Sequence, residues 1–212
     1  MPRARLVDVR QLTVLPQDFY DRSSVVLARA LLGQVLVHET EDGVTAGRIV
    51  EVEAYRGVKD RAAHTFGGRR TPRNESMWGP PGHAYVYFVY GMHWCVNAVA
   101  GPPGVPEAVL LRALEPVAGI DLIRARRQSP RRDERLLSGP ANLCKGLGID
   151  RALNGVPLFK GDLTIRKGPL VPARQRAQTP RIGVDYAGED ALKAWRFYVR
   201  GSPAVSGTRP RL

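Results

Sequence analysis

The sequence has little cysteine. Its 212 residues carry only Cys95 and Cys144. Two isolated thiols build neither a disulfide framework nor a Cys-x-x-Cys pair, so a small secreted scaffold is excluded and a reducing compartment is expected. No window approaches the ~18 apolar residues of a membrane-spanning helix. Met1-Pro2-Arg3-Ala4-Arg5-Leu6 lacks the apolar stretch of a signal peptide. The expected location is the cytoplasm, in association with the nucleoid if the protein binds DNA, with no membrane partner. His38, His64, His83 and His93 show no metal-ligand spacing, and neither cysteine lies at zinc-finger distance from them. A Gly-x-Ser-x-Gly elbow, a P-loop, internal repeats and low-complexity blocks are all missing. No metal and no cofactor are expected. Lysine is scarce too, with only five among 32 basic residues.

What is present describes a folded, basic chain. A hydrophobic fraction of 43% and a charged fraction of 25% are those of an ordinary globular protein, which excludes disorder throughout and a collagen-like or coiled-coil chain. The 22 glycines and 17 prolines predict many turns and few long helices. The net charge of +12 and pI of about 10.4 favour a polyanionic partner, nucleic acid before an anionic membrane surface. The arginine bias fits phosphate recognition by planar, bidentate forks. The codon usage of a GC-rich genome accounts for that ratio equally well, but not for the net charge.

Punctuation and periodicity predict one α+β domain over residues 1–212, mainly an antiparallel sheet with a few helices. Residues 1 to about 12 and 204–212 are expected to be mobile ends. Ser23 or Ser24 caps a helix through Val25, Leu27, Ala28, Leu31 and Leu32, stopped by Gly33. Residues 35–37 and 47–55 form a hairpin around Gly43. Residues 56–83, rich in Gly and Pro and carrying Arg69, Arg70 and Arg73, form a long loop of the functional kind. Strands follow at 84–90, 93–99 and 107–113, with Gly91 making a tight turn between the first two. The spacing of Val117, Ile120 and Ile123 predicts a helix from Pro116 to about Arg126, leading into a basic exposed connection, 126–132. Ser138 and Pro140 open another helix, with Gly146 and Gly148 as stop signals. Short strands are expected at 163–165, 181–184 and 196–199.

Alternation on the second strand puts Glu51, Glu53 and Tyr55 on one face and Val50, Val52 and Ala54 on the other. A glutamate there is most often simply solvent-facing. Glu53 stands out because it precedes Tyr55 and the long loop. In the next strand Tyr85 and Tyr87 share a face, as a packed aromatic core or as a stacking platform for bases. Tyr90 and Met92 flank Gly91 at a hairpin tip, where burial is difficult. Exposed apolar wedges at such tips pry bases apart.

The strings Gly47–Tyr55, Ala63-His64, Arg69–Asn74, Tyr85–Met92, Asn97, Val109–Pro116, Ser138-Gly139-Pro140 and Arg196–Pro203 resemble, in order, the 3-methyladenine DNA glycosylases of the alkyladenine (methylpurine) type. The resemblance spans about residues 16–205. It implies a curved antiparallel sheet, surrounding helices and a protruding hairpin, in an enzyme that flips a damaged purine out of double-stranded DNA and hydrolyses its N-glycosidic bond. It implies that Glu53 activates the water and Arg112 helps to hold it. Tyr55, His64 and Tyr87 would contact the flipped base, with Leu110 sharing a strand face with Arg112. Asn97 would crowd normal guanine, Tyr90 would fill the vacated stack beside Met92, and Arg69, Arg70 and Arg73 would meet the DNA backbone. A monofunctional, monomeric DNA repair enzyme without cofactor is expected. The alternative is a non-catalytic nucleic-acid binder using the aromatic strand as a platform. A free-nucleoside hydrolase would need neither the basic surface nor the wedge. The sequence departs from some relatives at His93-Trp94-Cys95-Val96, in the loop 101–106 and in the basic stretch 124–135.

Overall fold

The computed structural model describes residues 8–129 and 132–207. Its frame is an eight-stranded antiparallel sheet formed by β1 (Val35–Thr40), β2 (Gly43–Tyr55), β3 (Ala84–Val89), β4 (His93–Ala100), β5 (Glu107–Ala118), β6 (Leu163–Arg166), β7 (Arg176–Thr179) and β8 (Arg196–Val199). The order is β3-β4-β5-β2-β1-β6, while β8 joins β2 and carries β7 on its other side. The fold is α+β, with helices α1 (Ser24–Leu31), α2 (Ile120–Arg127) and α3 (Pro140–Leu147). Among the described residues no helix is long and apolar enough to cross a membrane.

The thirteen-residue strand β2 organises everything else. One edge pairs with β5 throughout. The other pairs first with β1 and then, from Glu51 onward, with β8. Register shifts flank Glu51 in the β2–β5 ladder. Such irregularities bend a strand and re-aim its side chains. Ile49, Val50, Val52 and Ala54 all enter the main core, with Leu27, Leu31, Leu111 and Leu143 from neighbouring elements. The opposite face at Glu51 and Glu53 is equally dry: both are 0% exposed. The solvent-facing reading of these glutamates is thereby overturned.

Four other local expectations need correction. The helix expected from Pro116 starts at Ile120 instead, because β5 continues through Ala118. Pro116 has no N–H for a ladder, and it sits where the β2–β5 register slips between Ala46 and Gly47. Arg126 and Arg127 end α2 rather than belonging to a loop; Pro130 and Arg131 lie outside the described residues. No strand forms at 181–184. Gly183 has φ 73° there, and the neighbouring strand is instead β7, before Pro180. The cap of α1 is not a serine hydroxyl: the Glu107 carboxylate accepts both the backbone N–H and the hydroxyl of Ser24, at 2.7 Å each. An anion suits that end of a helix.

Of the ends expected to be mobile, residues 1–7 and 208–212 lie outside the described residues. Within them, Val9 is buried and Arg166 donates to the carbonyls of Val9 and Arg10. Ala204 and Ser206 are buried as well. The long loop 56–83 is ordered by three short 3-10 turns, Gly57–Lys59, Phe66–Gly68 and Glu75–Trp78. Asn74 staples it: its amide donates to the carbonyls of His64 and Arg69, and its oxygen accepts the Thr71 N–H.

Candidate active site

Antiparallel register lines up one row across five strands. Tyr85 on β3 faces Asn97 on β4, Asn97 faces Leu110 on β5, Leu110 faces Glu53 on β2, and Glu53 faces Arg196 on β8. Beside this row lies a cavity of about 330 Å³, the size of a small-ligand site. Tyr55, His64, Tyr87, Asn97, Leu110, Arg112 and Tyr90 all line it. So do Cys95 and, not placed in the site from sequence, Tyr85, Tyr186 and the segment Ile182-Gly183-Val184. Cys95 shares the strand face of Asn97, so strand alternation alone signalled it. Ile182 comes from the stretch expected to be a strand, and Tyr186 from the 3-10 turns Asp185–Leu192 that follow it.

Glu53 sits under this cavity, and each of its hydrogen-bond partners lines it. The Tyr55 hydroxyl donates to Oε2 at 2.9 Å, Arg112 Nη1 donates to Oε2 at 3.2 Å, and the Ile182 N–H donates to Oε1 at 2.8 Å. A carboxylate has about four acceptor positions, so three bonds leave it one more. Glu51 is the second buried anion. It accepts from Arg112 Nε at 3.2 Å, from Arg196 Nε at 2.6 Å and from the Ser206 N–H at 2.5 Å. Arg112 therefore bridges the two glutamates. Burial opposes its charge, but Glu53 and Glu51 outweigh that and raise its pKa. Two buried anions against Arg112 and Arg196 make a balanced network, and removal of one member of such a group costs about 3–5 kcal/mol.

The walls are aromatic. Tyr85 and Tyr87 stack with centroids 5.2 Å apart, and His64 meets Tyr87 edge-on at 4.7 Å. The Tyr85 hydroxyl lies 2.8 Å from His64 Nδ1. Burial, then the charges of Arg73 and Arg69, push the His64 pKa down to about 4. His64 is thus neutral at physiological pH. Burial, reinforced by Glu53, raises the Tyr55 pKa, and burial raises that of Tyr87. Both phenols stay protonated, so the Tyr55 O–H is a donor to Glu53.

Tyr90 and Met92 stand at the β3–β4 tip, 83% and 69% exposed. The turn runs through Tyr90 (φ 52°) and Gly91 (φ 66°). Both central residues having positive φ is the twist that closes a tight hairpin. The three loop arginines diverge. Arg73 donates to the Phe88 carbonyl and lies 5.3 Å over the Tyr87 ring. Arg69 and Arg73 help to line a second cavity of about 300 Å³, adjoining the first through His64 and Tyr186. Arg70 is paired with Glu75 at the surface and lies over Trp78.

The site thus combines a dry carboxylate beneath an aromatic slot, an exposed apolar hairpin tip beside it and a strongly basic chain around both. The sequence profile described as Methylpurine-DNA glycosylase (MPG) matches residues 18–203, and the chain belongs to that family. It is 49% identical over 198 residues to a protein of Methanocella arvoryzae, covering 93% of this chain and 98% of the relative. It is 45% identical to proteins of Clostridium acetobutylicum (91% and 97% covered) and Bacillus cereus (90% and 98% covered). All three relatives are provisionally named 3-methyladenine DNA glycosylases.

Proposed function

We propose that the protein acts as a monomer on duplex DNA, takes an alkylated purine into the aromatic pocket and releases it by hydrolysis, leaving an abasic site. The observation that carries this reading is Glu53: a fully buried carboxylate with three partners and one acceptor position left, next to the pocket. Glu53 accepts a proton from a water held with the help of Arg112. The water oxygen bonds to C1′ of the sugar, the C1′–N bond breaks, and its electron pair neutralises the departing base. The carboxylate also favours the positive charge that develops on the sugar.

Pocket chemistry supports a cationic base. N3- and N7-alkylated purines are positively charged, and tyrosine faces attract such a ring by roughly 0.5–2 kcal/mol. His64, kept neutral, adds no repulsion. Of its two ring nitrogens, one meets the Tyr85 hydroxyl, and the other remains for a base edge. No lysine lines the pocket, which supports direct hydrolysis over an imine with the sugar. Extruding the base costs a few kcal/mol, least at a damaged pair. Tyr90 and Met92 would fill the gap, and Arg69 and Arg73, at the adjoining cavity, would meet the backbone.

Base release from methylated duplex DNA without added metal is the test. Release of 3-methyladenine from the duplex is expected. Tight binding without release would make the protein a binding module, and release only from free nucleosides would make it a nucleoside hydrolase.

A further inference from the structure

Arg181 was not singled out from the sequence, and it does not line the pocket. Its guanidinium forms a two-pronged pair with Asp60, Nη1 to Oδ2 at 2.5 Å and Nη2 to Oδ1 at 2.8 Å, with both side chains 0% exposed. It also donates to the carbonyls of Ala54 and Asp190, so all four Nη protons are used. Its Cζ lies over two aromatic rings, 4.7 Å from the Tyr55 centroid and 5.0 Å from that of Trp195. Asp60 is anchored in turn, accepting the backbone N–H groups of Arg56 and Ala62.

Both ends of this pair lead to the active site. Two residues beyond Asp60 begin Ala62, Ala63 and His64, one wall of the pocket. Directly after Arg181 comes Ile182, whose N–H donates to Glu53, and then Gly183 and Val184, which line the pocket too. Tyr55, with Arg181 against its ring, donates to Glu53 as well. Two of the three hydrogen bonds that aim Glu53 thus depend on where Arg181 is held. Resting on the hydrolytic reading above, we propose that Arg181, locked by Asp60, is a positioning residue for base release, holding Glu53 and Tyr55 in place from behind the pocket.

Arg181→Lys keeps the charge but not the fork, and Asp60→Asn keeps the shape of the partner but not its charge. Each should lower single-turnover release roughly tenfold, ~1.4 kcal/mol in barrier, and leave the dissociation constant for lesion DNA within about twofold of wild type, because only the aim of Glu53 is lost. Arg181→Met, which keeps neither charge nor fork, should lower release further.

Single-turnover release and equilibrium binding of lesion DNA, with thermal unfolding of each variant as a folding control, decide the matter. A folded variant with slower release and unchanged binding supports the proposal. A wild-type release rate in folded Arg181→Lys and Asp60→Asn overturns it, and so does a loss of binding as large as the loss of release, which leaves the pair as structure. If Arg181→Met and Asp60→Asn do not fold, Arg181→Lys decides: a wild-type rate overturns the proposal. Wild-type protein that releases no base defeats the hydrolytic reading itself, whereas active wild type, inactive Glu53→Gln and full-rate Arg181→Lys together defeat only the role of Arg181.

Discussion

The floor of the pocket and the tip of the β3–β4 hairpin are built in opposite ways. At the floor two carboxylates are 0% exposed, and each is met by three donors. At the tip Tyr90 and Met92 stand in solvent, and Tyr90 holds a φ of 52° that side-chain-bearing residues seldom adopt. Buried charges are tolerable only when their partners are already in place. The floor is therefore complete in the free protein, as electrostatic preorganisation requires. The tip has apolar surface without a partner and becomes complete only when something covers it. On the function proposed above, chemistry belongs to the first region and recognition to the second, so substitutions in the two should fail differently.

The largest effect is expected at the floor. Glu53→Gln keeps the shape but cannot take a proton, and single-turnover release should fall about 10²–10⁴-fold. Lesion-DNA binding, measured by titration, should stay close to wild type. Release near the wild-type rate would remove Glu53 from the mechanism and with it the functional contrast between floor and tip.

How far this contrast was legible in the sequence depends on the range of the interactions. Strand alternation placed Glu53 with Tyr55, and Leu110 with Arg112, because a period of two is a local property. Tyr90-Gly91 was legible because tight turns have a local signature. The burial of Glu51 was not legible: it depends on Arg112, Arg196 and Ser206, which lie 61 to 155 positions away. Asp60 and Arg181 are 121 positions apart, and their pairing follows no periodicity. The strand expected at 181–184 fails for the same reason. The Ile182 N–H serves Glu53 instead of a ladder, and Arg181 turns toward Asp60. Long-range charge pairing overrode a local β pattern at this segment.

Between floor and tip lies His64, and its titration sharpens the comparison. Its pKa in the folded protein, about 4, lies below the unfolded value of about 6.5. Between those two pH values the unfolded chain binds more protons, so stability is lost as pH falls from 6.5 toward 4. The loss should be on the order of 2 kcal/mol. His64→Gln should remove that part of the slope, read by denaturant titration at several pH values. An unchanged slope would mean that the ring is already charged in the folded pocket.

At the tip, Tyr90→Ala should weaken lesion-DNA binding roughly tenfold, ~1.4 kcal/mol, and lower the flipped fraction reported by a fluorescent base analogue. Folding stability should change by less than about 0.5 kcal/mol, since the ring touches little. Tyr90→Gly separates the two quantities further. It relieves the positive φ and gains up to about 1 kcal/mol of stability, while losing the same affinity. Loss of stability in both variants would show that the tip is part of the fold after all.

Asn97 gives the smallest and most discriminating effect, because it belongs to both kinds of region. It is 4% exposed, and its Nδ2 donates to the Tyr85 carbonyl at 3.0 Å, like a floor residue. It also lines the cavity where a base edge would lie. Guanine differs from hypoxanthine by a 2-amino group, and a pocket that takes one and refuses the other needs an obstacle at that edge. Held by Tyr85, Asn97 cannot swing aside. Asn97→Ser or Asn97→Ala should open that space and raise release of guanine opposite thymine by about three- to tenfold, the low end of what one small group in a pocket is worth. Release of 3-methyladenine, which has no 2-amino group, should change by less than about twofold. The bond to Tyr85 sets the competing outcome. If its loss merely lets β3 drift from β4, the stacked tyrosines loosen and both rates decline together. Single-turnover rates for the two bases in one sequence context distinguish a steric gate, which moves one rate, from a structural pin, which moves both.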